Sequence, residues 1–148
     1  MTWDLEVRPH RTPYFAYAGA VVIAAAHIAV GLLLKVRSSG VIFQTADQVA
    51  IGALGIILAG LLLLLARPRL RVGPVGVSVR NAFGDKLIEW PDVVDISFPR
   101  GARWARIDLA DDEYVPVLAI QAVDRERAVA AMAAARELMA RYRPVTRP

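Results

Sequence analysis

The spacing of apolar side chains divides the chain into stretches of different period. Tyr14 to Leu34 is an apolar run broken by one ionisable residue, His27, and Gln48 to Ala66 is a second run without any charge. At about 1.5 Å per residue, each matches the roughly 30 Å hydrocarbon thickness of a bilayer, which predicts two transmembrane helices. After Ala66 the period falls to two. Arg67-Pro68 ends the second helix, because proline lacks a donor and restricts the residue before it. Alternation then predicts strands at Arg69–Val72, Val75–Arg80, Lys86–Trp90, Val93–Phe98, Trp104–Leu109 and Tyr114–Leu118. Within the fourth of these, Val94, Ile96 and Phe98 are expected to face inward. Turns are expected at 81–85, 91–92, 99–101 and 111–112. Last comes a helical period: Asp124 is a suitable N-cap, and Val129, Met132, Arg136, Met139 and Tyr142 recur every three or four residues beside Ala128, Ala131 and Ala135. That stripe would cover the open end of a sheet, and Pro144 would stop the helix.

The expected organisation is an N-terminal segment 1–13, a helical hairpin 14–66 with spans 14–34 and 48–66, a β-rich domain 67–143 and a tail 144–148. Cleavage of the first run as a signal peptide is disfavoured: the run is too long, and Asp4 and Glu6 precede it. The cations Arg8, Arg11, Arg67, Arg69 and Arg71 flank the outer ends of the runs and outnumber Lys35 and Arg37 in the connection. By the positive-inside rule both termini face the cytoplasm, in a multi-pass protein of the cell membrane. Small residues at a spacing of four, Ala20 with Ala24, Ala25 with Ala29 and Gly55 with Ala59, together with Gly52 and Gly60, let the two helices approach closely.

Composition narrows the chemistry. The 148 residues contain no cysteine, which excludes disulfides, thiolate metal sites and cysteine nucleophiles. The net charge of +4 comes almost wholly from arginine. Acidic residues from Asp85 to Glu137 interrupt any broad basic stripe, so no nucleic-acid partner is expected.

Three segments carry a family resemblance: Gly76-Val77-Ser78-Val79-Arg80, Ile88-Glu89-Trp90-Pro91-Asp92-Val93 and Arg100-Gly101-Ala102-Arg103-Trp104-Ala105. From residue 67 to about 120 the chain resembles the bacterial pleckstrin-homology-like (PH-like) domains of small actinobacterial membrane proteins, which also carry two N-terminal spans. The resemblance implies an α+β membrane protein, with a transmembrane hairpin followed by a PH-like antiparallel sheet or barrel capped by a C-terminal helix. It implies a fold and no particular chemistry. A PH sheet has seven strands, against six after Ala66, so Thr2 to Val7 is expected to pair with the open edge as the missing one.

The sequence assembles no catalytic set. Its histidines are His10 and His27, at the edge of the first run and inside it, and Gly73-Pro74-Val75-Gly76 lacks the spacing and lysine of a phosphate loop. Asp111, Asp112 and Glu113 read as a solvated hairpin tip rather than a calcium loop. No cofactor, metal or small-molecule substrate is expected. His27 is read first as a neutral imidazole in the helix interface and second as a haem ligand. Arg100, Arg103 and Arg106 cluster around one turn and strand as a candidate surface for anionic lipid or a partner. The leading functional expectation is a non-catalytic accessory or assembly subunit that binds other subunits of a larger membrane complex, with a respiratory or transport assembly as a natural host. An anionic-lipid sensor and a redox protein using His27 are the alternatives.

Overall fold

The structure is a computed structural model that describes residues 1–34, 40 and 42–143. Lys35 and Arg37, the loop cations of the orientation argument, and the tail 144–148 with Pro144 lie outside the described residues. The chain forms two compact units, one of residues 12–66 and one combining residues 1–11 with those from 67 onward.

The first unit contains α1 (Thr12–Leu33) and α2 (Thr45–Leu63), the latter prolonged by a 3-10 turn at Leu64–Ala66. Both helices are long and apolar enough to cross a membrane. α2 begins earlier than the apolar run because Asp47 joins its first turn, where Oδ2 accepts a hydrogen bond from the Gln44 amide at 2.8 Å. A carboxylate at that end also meets the positive pole of the helix dipole. The helices are antiparallel: Gly19 faces Leu62, Gly55 faces His27 and Gly31 faces Gln48. Ala16, Ala20, Gly31, Gly55 and Ala59 are buried along the seam. Away from it, side chains such as Val22, Leu32, Ile56 and Leu61 are exposed. A helix apolar on every side suits hydrocarbon better than water.

Among the described residues the second unit holds seven strands. β1 (Leu5–Val7), β2 (Arg69–Gly73), β3 (Gly76–Arg80) and β4 (Asp85–Glu89) form one antiparallel sheet in that order. β5 (Val93–Ser97), β6 (Trp104–Leu109) and β7 (Tyr114–Gln121) form another, and α3 (Glu126–Tyr142) closes the chain. The sheets do not join into a closed barrel. β1 lies along β2 with Leu5 opposite Val72 and Val7 opposite Leu70. Both helices of the first unit are thus inserted, in chain order, between two neighbouring strands. Gly76 is required by close approach, since a Cβ there would come within 2.1 Å of the Ile88 carbonyl oxygen.

The core lies between the sheets and α3, filled by Leu70, Val72, Val77, Ile96, Ile107, Val117 and Ile120, all at 1 % exposure or less. Burying one such side chain contributes about 1.5–3 kcal/mol relative to leaving it in water. Trp90 closes one side: its indole N–H donates to the Gly73 carbonyl at 2.9 Å, and its ring stacks on Tyr142 at 6.2 Å. The Tyr142 hydroxyl in turn donates to Asp4.

Four local readings of the sequence change. Val94 is exposed and Val93 buried, because a bulge between Val93 and Asp95 shifts the register of β5 against β6. Trp90 sits in a 3-10 turn with Pro91 and Asp92 rather than in a strand. Val129 faces outward at 71 % exposure; the covered face of α3 is Ala128, Met132 and Ala135. Asp124 does not cap α3, whose N-cap is Arg125. Its buried carboxylate instead accepts the backbone amides of His10 and Arg11, each at 3.0 Å.

Candidate functional site

An apolar groove of about 660 Å³ lies between α3 and the end of β5. Phe98, Ala122, Ala128, Val129, Met132 and Ala133 line it, with Arg125 and Arg136 at its margin. Arg136 reaches it from within α3 and Arg125 from the N-cap position just before the helix. Arg136 has a second task. Its Nε donates to the Ile96 carbonyl at 2.9 Å, while Arg143 donates to the Val94 carbonyl at 2.5 Å. β5 is an edge strand, and these guanidinium groups cover carbonyls that would otherwise invite another strand. Arg125 has φ +50°, a left-handed conformation that residues with a Cβ seldom adopt. It supports the first turn of α3 by accepting the Val129 amide at 3.1 Å.

The turn after β5 borders the same region. Ala102 donates to the Pro99 carbonyl at 3.1 Å, and Gly101 supplies the positive φ of +78° at the third position. The Arg103 carbonyl accepts the Ala122 amide at 2.8 Å, which places the Arg103 backbone at the groove wall. Arg100 and Arg103 are exposed in this turn. Arg106 lies apart from them in function: its Nε is 2.7 Å from an Asp108 oxygen and 3.2 Å from the Ser97 hydroxyl, and its guanidinium lies over the Tyr114 ring at 5.2 Å. A cation engaged in this way has less to offer a ligand than its two neighbours.

In the helical unit His27 fills the notch left by Gly55, where a Cβ would come within 2.3 Å of the His27 Cβ. Its Nδ1 is 2.8 Å from the Ile23 carbonyl. A carbonyl only accepts, so Nδ1 carries the proton and the ring is turned back onto its own helix. Of the small residues expected at the seam, Ala20, Gly55 and Ala59 are buried, Ala24 and Gly52 are half-buried, and Ala25, Ala29 and Gly60 are exposed. Among the described residues no three His, Asp or Glu side chains gather into a metal-holding group. Asp111 and Asp112, both with φ near +60°, form the tip of the β6–β7 hairpin.

Sequence reasoning named Arg100, Arg103 and Arg106 but missed Arg125 and the groove itself. The available signal was the presence of Arg125 and Arg136 on either side of Val129 in the chain, a position first read as core.

Comparison with known proteins assigns the fold. Residues 67–138 match the family model described as Bacterial PH domain. Over 142 residues the chain is 69 % identical to an uncharacterized protein of Mycobacterium bovis, a match covering 96 % of this chain and 92 % of the relative. An uncharacterized protein of Mycobacterium tuberculosis matches at the same identity and coverage. No solved structure matches. The strand order, the helix closing the sheets and these matches agree that the chain belongs to the bacterial PH domain family.

Proposed function

We propose that the protein is a membrane-anchored, non-catalytic accessory or assembly subunit, whose PH-like domain grips a segment of a larger membrane complex in the groove along α3. The observation that carries this reading is the groove itself: an apolar floor of Phe98, Val129 and Met132 beside the cations Arg125 and Arg136, with Arg100 and Arg103 exposed in the turn that follows β5. An apolar channel with charge at its margin suits a polypeptide with mixed apolar and acidic side chains. The two apolar helices would hold the domain in the bilayer, and a respiratory or transport assembly is the class of host proposed. Both termini would face the cytoplasm. Pairing of β1 with β2 supports a common side, because strands joined through two spans can meet only there.

The test is recovery of the tagged full-length protein from its own membranes in mild detergent, with bound subunits identified by mass spectrometry. A stoichiometric partner is expected with the natural sequence and is expected to be lost in Val129→Glu, which alters an exposed side chain and leaves the core intact. Recovery of the protein alone, across several gentle detergents, would defeat the proposal.

A further inference from the structure

Phe83 is 88 % exposed at the tip of the β3–β4 turn, yet the turn beneath it is braced. The Asn81 amide donates to the Gly84 carbonyl at 2.9 Å. The Asn81 side chain donates to the Pro116 carbonyl at 2.9 Å and accepts the Leu118 amide at 3.3 Å. Arg80 and Asp85 close the strand ends with hydrogen bonds of 2.6 and 2.8 Å. The neighbouring Ala82 is buried. An apolar ring presented to water on so well fastened a turn contributes nothing to the core, and its meaning lies in the charges that surround it.

The strand register says where in the sheet the turn lies. Arg80 pairs with Arg69, and Val7 pairs with Leu70, so the β3–β4 turn shares one end of the sheet with the last residue of β1 and the first of β2. From that end the chain leaves Val7 for α1 at Thr12, and to it the chain returns from Ala66. A few residues at no more than about 3.6 Å each limit how far either connection can reach. Arg11, Arg67 and Lys86 are exposed close by in the chain or register, while Asp85 is already engaged by Arg80.

We infer that the β3–β4 turn is a bilayer contact, in which Phe83 enters the headgroup region of an anionic leaflet while Arg11, Arg67 and Lys86 face lipid phosphates. An apolar side chain flanked by cations is the combination that holds polypeptide at such an interface. The inference rests on the reading that α1 and α2 cross the bilayer, and it adds a third point of attachment that those helices do not require.

The chain lacks cysteine, so a single nitroxide can be placed on the full-length protein in lipid nanodiscs. Gly84→Cys is suitable, since a Cβ there meets nothing within 4 Å and Phe83 stays in place. Val75→Cys, in the turn at the opposite end of the β2–β3 pair, is the reference, roughly 20 Å away along the strand. In discs containing phosphatidylglycerol, the ratio of oxygen to nickel-complex collisions is expected to be several-fold higher at position 84 than at 75. Adding Phe83→Asp is expected to remove that difference. Equal, water-like ratios at both positions in discs that have incorporated the protein overturn the contact. Immersion equally deep in purely zwitterionic discs overturns its anionic character. Immobilisation of the label without oxygen preference assigns the turn to a protein instead, and failure to incorporate overturns the spanning reading beneath it.

Discussion

Most buried positions of the two sheets are filled by valine, isoleucine, leucine and tryptophan, with alanine and methionine on the covered face of α3, whereas the buried seam between α1 and α2 is lined by alanine and glycine alone. The sheet unit draws its stability from removing large side chains from water. On the proposed reading that α1 and α2 lie in the bilayer, the same transfer gains nothing there, because leucine is as well accommodated in lipid as inside the seam. Backbone approach and a few polar links then matter more, such as the Gln48 side-chain Nε2 donating to the Gly31 carbonyl at 2.8 Å. The comparison teaches that equally apolar residues do different work in the two units, and that volume deletions and volume additions should hurt opposite ones.

The largest effect is expected from Ile107→Ala, which empties a fully buried site in the sheet unit and should cost about 2–5 kcal/mol. Denaturant unfolding of the full-length protein, followed by tryptophan fluorescence, would read that loss, while the α1–α2 pair keeps its helical signal. Next comes Asp124→Ala. It strips two backbone amides of a charged acceptor and should cost about 3 kcal/mol, with hydrogen exchange of His10 and Arg11 rising first. In the helical unit the direction reverses: Gly55→Ile adds volume against His27 and should weaken the seam by about 2 kcal/mol. Gly52→Ala meets nothing within 4 Å and should leave the pair unchanged, a difference that steric trapping of the two variants would read. A Gly55 variant that unfolded the sheet as readily as Ile107→Ala would erase the distinction between the units.

The smallest effect is the response to pH, confined to the sheet unit. Hydrogen bonds from Arg71 and then Arg8 hold the Glu6 carboxyl below the ordinary carboxylate range, and Arg80 does the same for Asp85. These groups favour the folded state above their ordinary values near pH 4, and that contribution is lost as pH falls through their lowered ones. Tyr142 runs the other way. Its hydrogen bond to Asp4 raises the phenol above its ordinary value, so its contribution is present below about pH 10 and fades as pH rises through the raised value. All three groups are solvated, so the slopes should be shallow. Glu6→Gln should flatten the acid side of the melting-temperature profile and leave the alkaline side alone.

Much of this architecture was legible along the chain. Alternation located the six strands after Ala66 to within a few residues, because strands with one buried face cannot hide their period. What failed depended on partners distant in sequence. Val94 reads as an inward position until the bulge against β6 turns it out. Asp124 has the residue type of an N-cap, and only the fold brings His10 and Arg11 to its carboxylate. The arginine cluster was half visible: Arg100 and Arg103 share a turn, but the ties from Arg106 to Asp108, Ser97 and Tyr114 cross strands. The groove was invisible because its walls come from β5 and α3, and the apolar Val129 gave no sign that it faces outward.

The insertion of α1 and α2 between β1 and β2 also bears on how the molecule is made. β1 leaves the ribosome first, but its partner follows only after both apolar helices; the Glu6–Arg71 ion pair closes a separation of 65 residues. Until then β1 has no neighbour, and when β2 appears its outer edge is open to any passing strand. With α1 and α2 spanning the bilayer as proposed, the sheet can be completed only if the hairpin has returned the chain to the side from which it departed. Closure of β1 onto β2 would therefore act as a proofreading step for membrane insertion, leaving a mis-inserted copy with an unpaired strand for proteases to find.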